Sequence, residues 1–226
     1  MQLDDLWVII AAYNEADAIG PVVAGLRNAG AWVVVVDDGS LDQTARVALR
    51  SGAIVLPHPV NLGQGAALAT GIQFALESGA PYLATFDADG QHRAEDLVCL
   101  YALLREGRAD VVIGSRFLGS GADMPAARRL LLRGAVAFTR LTTGLRLTDA
   151  HNGLRVMTAG AAAQIRITQN GMAHASEILE EIARRRLRVL EAPITVLYTQ
   201  YSLAKGQRSL NAVNILLDLL TGRLQR

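Results

Sequence analysis

The chain has 226 residues, enough to enclose one sizeable core without splitting in two. Its 22 Lys and Arg balance 21 Asp and Glu, and the formal charge of +1 gives no reason to propose nucleic acid as the main partner. A hydrophobic share of 51% with few aromatics excludes a disordered chain and fits a packed α/β protein.

The elements follow in order. Trp7–Tyr13 is a nearly continuous apolar run, as expected of a strand covered on both faces. Glu15–Ala29 reads as a helix, Trp32–Val36 as a second buried strand, and Asp42–Ser51 as a helix ended by Gly52. Ile54–Leu56 is a short strand, Gln64–Glu77 a helix closed by Gly79, and Tyr82–Phe86 a fourth strand. Glu95–Glu106 is helical and Val111–Gly114 a fifth strand. The single cysteine, Cys99, excludes an internal disulfide and is expected as a buried core thiol in its apolar helical stretch. Further on, Arg128–Leu145 reads as a basic helix, Asn152–Met157 as a strand and Ala173–Arg186 as a helix. Arg188–Tyr198 is extended and broken by Pro193, and Ser209–Leu224 is an amphipathic terminal helix. No uncharged apolar run reaches the roughly 18 residues of a membrane span, and Asp4 and Asp5 stand where a signal peptide would be basic. The expectation is a cytoplasmic protein that touches a membrane only at its surface.

Strands alternating with helices at short spacing predict a mostly parallel sheet with helices on both faces. Ligands of such sheets bind beyond the carboxyl ends of the strands. Three polar clusters fall there: Tyr13-Asn14-Glu15, Asp37-Asp38-Gly39-Ser40 and Asp87-Ala88-Asp89. They are expected to converge on one cleft.

In Asp87-Ala88-Asp89-Gly90-Gln91-His92, carboxylates at alternate positions suit a hard cation with oxygen ligands, such as magnesium or manganese. Such an ion bridges two phosphates and neutralises a leaving diphosphate. Asp37 and Asp38 have the chemistry to accept hydrogen bonds from a base or ribose, while Ser40 or Asp42 can cap the next helix. Asn61-Leu62-Gly63-Gln64-Gly65 resembles a phosphate loop at a helix start, or else is a tight turn that lets the helix pack closely.

These motifs, with Ala12-Tyr13-Asn14-Glu15 and Gly114-Ser115-Arg116, occur in the order and spacing of the family 2 glycosyltransferases, which the chain resembles over most of its length. Asp87-Ala88-Asp89-Gly90-Gln91-His92 and Asp149-Ala150-His151-Asn152-Gly153-Leu154-Arg155 are most similar to the dolichol-phosphate mannose synthase and polyprenyl-phosphate glycosyltransferase branch. The resemblance implies a single GT-A domain over residues 1–226, with a nucleotide-sugar-binding half (1–117), an acceptor-side half (118–208) and the terminal helix (209–226). It implies a UDP- or GDP-sugar donor held by Ala11, Tyr13, Glu15, Asp37, Asp38, Gly65, Asp87 and Ala88, with Lys205 and Arg208 closing over the diphosphate. It further implies Mg2+ or Mn2+ on Asp89 and Gln91, Asp89 being essential to catalysis, and Arg116 facing the sugar or an acceptor phosphate. Ala11 stands where the family often has proline, and the Gln-x-x-Arg-Trp motif of processive polysaccharide synthases is absent.

Between Ala126 and Arg146 there are five arginines and no acidic residue, a segment suited to an anionic membrane surface. The reading is inverting transfer to a polyprenyl phosphate, which is already ionised and needs no strong base. A hydroxyl acceptor, the alternative, would need one, and Asp149 and His151 are the candidates. A sugar-phosphate nucleotidyltransferase would carry a glycine-rich loop with Arg and Lys after the first strand, where this chain has Tyr13-Asn14-Glu15-Ala16. A silent nucleotide-sugar-binding module is the remaining rival, opposed by the retained Asp87, Asp89 and Gln91.

Overall fold

Branched side chains pack well on a pleated surface, and the valine and isoleucine runs of this chain form strands accordingly. The structure, a computed structural model, describes residues 2–119, 126–149 and 152–197. The strands β1 (Leu6–Ala12), β2 (Trp32–Asp37), β3 (Ile54–Pro57) and β4 (Tyr82–Thr85) alternate with α1 (Ala16–Asn28), α2 (Thr44–Arg50) and α3 (Gln64–Glu77). Then follow α4 (Ala94–Arg105), β5 (Val111–Ser115), α5 (Ala126–Thr143), β6 (Arg155–Thr158), α6 (Ala159–Ala162), α7 (His174–Arg184) and β7 (Val189–Pro193). The expected terminal helix Ser209–Leu224, together with His151, Lys205 and Arg208, lies outside the described residues.

The seven strands form one sheet in the order β3-β2-β1-β4-β6-β5-β7. Neighbours pair in parallel except at β6, which runs antiparallel to both β4 and β5. The mostly parallel sheet expected from the alternation is therefore present, with one reversed strand. Alternate residues of β1 point to opposite faces. Val8 and Ile10 join the core beneath α1, α2 and α4, while Ile9 joins the core beneath α3, α6 and α7, against which α5 also packs. Burial on both faces explains why the strands read as unbroken apolar runs.

Two sequence expectations need correction, and one element was not foreseen. Helix α4 turns Leu97, Leu100, Tyr101 and Leu104 inward at helical spacing, which leaves Cys99 exposed. The strand expected from Asn152 starts only at Arg155, because the Asn152 side chain accepts from Leu154 N (2.8 Å) and forms a turn ahead of it. The single turn α6, capped by Thr158 Oγ1 accepting from Ala161 N, is too short to show a helical pattern in sequence.

The chain leaves β1 toward β2 and β3 on one side, and toward β4 on the other. The crevice beyond the carboxyl ends of β1 and β4 is thus the switch point of the sheet, where ligands of open α/β folds bind.

Candidate active site

Asn14 sits in the left-handed region at φ 53, which asparagine tolerates better than most residues. Its N–H donates to Ser40 Oγ (2.9 Å), and its Oδ1 accepts from Leu41 N (2.8 Å). Glu15 N donates to Thr44 Oγ1 (2.7 Å), and Ala16 N to Asp42 Oδ2 (3.2 Å). The Tyr13-Asn14-Glu15 and Asp37-Ser40 loops are thereby laced into one unit. Asp42 serves the starts of both α1 and α2, since its Oδ1 also accepts from Thr44 N (2.9 Å), whereas Ser40 is engaged with Asn14 rather than capping α2.

Asp38 holds the glycine-rich loop. Its Oδ1 accepts from Leu62 N (3.0 Å) and meets His58 Nδ1 (2.7 Å), and its Oδ2 accepts from Gly63 N (2.7 Å). His58 Nε2 in turn meets Thr70 Oγ1 on α3 (3.0 Å). Asp37 is buried, with Oδ1 accepting from Ser40 N (3.3 Å). Gly63 has φ 104, and a Cβ there would lie 2.3 Å from Asn170 O. At Gly65 an added Cβ would lie 1.9 Å from Gln169 O, while its N–H donates to Asn170 O (2.7 Å). These glycines let the segment around Asn170 close onto α3. The contacts of Gly65 are those of close packing, and Gly65 does not line the cleft. Glu177 secures that segment by accepting from Thr168 N (2.8 Å) and Gln169 N (2.9 Å).

The resulting cleft has a volume of ≈ 450 Å³. Ala11, Tyr13 and Glu15 line it from the β1 end, Asp38, Asn61, Gly63 and Gln64 from the middle loops, Asp87, Ala88 and Asp89 from the β4 end, and Met172 from the second half of the chain. The three polar clusters do converge, although Asp37 is not in the lining.

Asp87 Oδ2 meets His92 Nε2 (2.9 Å), and Asp89 Oδ1 accepts from Gln91 N (3.0 Å). Burial pushes the Asp87 pKa up, but the His92 hydrogen bond and the nearby charges of His92, Arg155 and His174 outweigh it and hold it below the ordinary value. Burial first, and the charge of Asp87 second, raise the pKa of Asp89. Gly153 makes room for Asp87: a Cβ there would lie 2.3 Å from both carboxylate oxygens, and Thr85 Oγ1 fixes the turn by donating to Gly153 O (2.6 Å). Beneath lies Arg155, 1% exposed, its Nε without a hydrogen-bond partner and its pKa lowered by burial against the pull of Asp87 and Asp149. Among the described residues no group of three or more His, Cys, Asp or Glu forms a metal cage.

Arg116 stands beyond the end of β5. Its Nε and Nη2 donate to Asp149 Oδ2 (2.6 Å) and Oδ1 (2.7 Å), and its backbone N–H to Oδ2 (3.1 Å). Asp149 is 1% exposed, and both its oxygens are taken by Arg116. This geometry suits a residue that orients Arg116, and it does not suit the general base entertained from sequence. Neither Arg116 nor Asp149 lines the ≈ 450 Å³ cleft. Sequence reasoning overlooked His58 and Glu191, and it quoted Gly153 and Arg155 within a motif without giving them a role. For Arg155 the available signal was a cation heading the apolar run Val156-Met157, and for the others only distant contacts reveal the role.

The family model described as Glycosyl transferase family 2 matches residues 7–166. The chain is 30% identical to the UDP-N-acetylglucosamine–dolichyl-phosphate N-acetylglucosaminyltransferase of Methanococcus voltae, over 95% of this chain and 94% of that protein. It is 33% identical to the undecaprenyl-phosphate mannosyltransferase of Micrococcus luteus, over 83% and 81% of the two chains. Among solved structures, glucosyl-3-phosphoglycerate synthase from Mycobacterium tuberculosis, in complex with Mn2+, UDP and glucosyl-3-phosphoglycerate, superposes with a TM-score of 0.73. That match covers 96% of this chain and 78% of the other at 18% identity, and it concerns the fold, which is GT-A. Sequence family, relatives and fold agree: the chain belongs to glycosyltransferase family 2 and is a glycosyltransferase of the dolichol-phosphate mannose synthase and polyprenyl-phosphate glycosyltransferase branch.

Proposed function

We propose that the protein transfers a sugar from a UDP- or GDP-linked donor to a polyprenyl phosphate, with inversion and with the help of Mg2+ or Mn2+. The observation that carries this reading is the convergence of the β1 loop, the glycine-rich loop and the Asp87–Asp89 pair on one cleft at the switch point. The residues fit a divalent ion. Asp89 is a partly buried carboxylate beside the like charges of Asp87 and Glu15, and Gln91 adds a carbonyl oxygen. Magnesium commonly takes only one or two carboxylates and completes its shell with substrate phosphates and water, so no full protein cage is needed. Bound to Asp89 and Gln91, such an ion would neutralise charge on the departing diphosphate.

The residues of the chain do the rest. Tyr13, Glu15 and the loop from Asn61 to Gln64 hold the nucleoside and diphosphate. Arg116, oriented by Asp149, takes the acceptor phosphate, since a guanidinium matches phosphate geometry. An acceptor phosphate oxygen attacks the anomeric carbon from the far side, the bond from that carbon to the diphosphate oxygen breaks, and its electron pair leaves with the nucleoside diphosphate. An ionised phosphate needs no base, which agrees with an Asp149 that is fully engaged. The decisive variant is Asp89→Ala. It should abolish transfer while circular dichroism and the melting temperature stay near wild type, because a half-buried cleft carboxylate contributes little to the core. Near-normal turnover at saturating donor and metal would refute the assignment. A panel of UDP- and GDP-sugars, tested for manganese-dependent thermal stabilisation, identifies the base.

A further inference from the structure

We infer that Glu191 is a positioning residue that sets the orientation of Arg116, an inference that builds on the proposed role of Arg116 at the acceptor phosphate. Glu191 lies on β7 opposite Ile113 of β5, some distance in sequence from every motif of the family pattern. Its carboxylate is the hub of the turn before Asp149. Oε1 accepts from Thr148 N (2.9 Å), Thr148 Oγ1 (3.1 Å) and Asp149 N (3.0 Å), and Oε2 accepts from Thr148 N (2.8 Å). Asp149 then offers both oxygens to Arg116.

A second path reaches Arg116 from the same hub. Because the Thr148 hydroxyl donates to Glu191, it is left to accept from Ser115 Oγ (2.7 Å). Ser115 Oγ in turn accepts from Phe117 N (3.2 Å). The residues on both sides of Arg116, and its counter-ion, thus hang on one carboxylate. Glu191 is half-buried while Ser115 is fully buried and Asp149 nearly so; the bonds to the Glu191 carboxylate are charge-assisted, and the chain they start runs into a poorly solvated place. A glutamine at 191 keeps the shape but turns one acceptor into an NH2 that confronts Thr148 N–H.

The test is Glu191→Gln, made alone and in an Asp149→Asn background. We expect kcat/KM for a short polyprenyl phosphate to fall about tenfold or more, as when a charged hydrogen-bond partner is lost. The affinity for nucleotide with manganese, read by calorimetry, should stay at the wild-type value. The two changes should combine to less than the product of their separate effects, because they interrupt one chain of contacts. An independent readout is the Arg116 Nε–H signal by NMR, assigned with Arg116→Lys. It should be protected from exchange in the wild type and lose protection in Glu191→Gln. If that variant does not fold, Thr148→Val removes the hydroxyl links alone and should move the same readouts less far in the same direction. Unchanged acceptor kinetics and an unchanged Arg116 signal would overturn the inference, as would equal losses in donor and acceptor binding. If the wild type transfers nothing to lipid phosphates but the Arg116 signal still depends on Glu191, the acceptor assignment fails and the positioning role stands.

Discussion

Asp38 already accepts two backbone N–H groups and faces an imidazole, although it lines the cleft proposed to hold the donor. Its main effect on a donor is therefore exerted through the loop it holds. Asp38→Asn should cost about 1–3 kcal/mol of stability, because an amide cannot satisfy both Leu62 N and Gly63 N beside His58. Weaker donor binding should follow as the loop loosens. Asp37→Asn, with a single long contact to Ser40 N, should cost less stability. Urea unfolding and calorimetry on both variants check this; an Asp38→Asn protein of full stability that no longer binds donor would make Asp38 a direct ligand instead.

Helix α5 is the element on which the membrane reading depends. It packs on α7 and buries Thr139, while Gly134, Ala137, Arg140 and Leu141 stay exposed on one side, Leu141 at 86%. An exposed leucine beside arginine on an acid-free helix suits the boundary of an anionic bilayer. Among the described residues no helix is long and apolar enough to cross a membrane. Sedimentation with anionic liposomes should show binding that weakens as salt rises, since the Debye length shrinks to about 3 Å at 1 M. Reversing two charges with Arg128→Glu and Arg129→Glu should weaken it by about tenfold or more, at about 1 kcal/mol for each basic group near the lipid. Salt-insensitive binding, or none at all, would refute the membrane reading of this helix.

For the whole molecule, the second half of the chain reaches the cleft at Met172, and His174 nearby is where that half meets α3 at Gly65. It is 3% exposed, and its Nδ1–H donates to Gly171 O (2.8 Å). Burial pushes its pKa below the ordinary value; Arg155 adds to the lowering, while the Gly171 bond, Asp87 and Glu177 oppose it. Below the unfolded pKa, near 6.5, the unfolded chain therefore binds a proton that the folded one refuses. Stability from this group is complete above that pH and drains away as pH falls toward the depressed folded value. Urea midpoints between pH 7 and pH 5 should thus drop more steeply for the wild type than for His174→Asn, which retains a donor for Gly171 O. Parallel curves would show that His174 does not couple folding to pH.

Much of this protein was legible in the chain because strand burial, helix period and terminal glycines are local signals. Val33–Val36 can hardly be anything but a covered strand, and polar residues just after such strands must gather at one edge of a parallel sheet. That much places Tyr13, Glu15, Asp87 and Asp89 around a cleft, as the fold does. Roles that depend on a distant partner were beyond reach. The sequence does not show that Asp38 is claimed by Leu62, Gly63 and His58, it leaves the loop at Gly65 open between a phosphate loop and a tight turn until Gln169 is seen against it, and it offers Asp149 as a candidate base without showing that Arg116 occupies both its oxygens. Pattern along a chain determines which residues reach the edge of the sheet, but a carboxylate's chemistry follows from which donors it meets, and those come from residues far away in sequence.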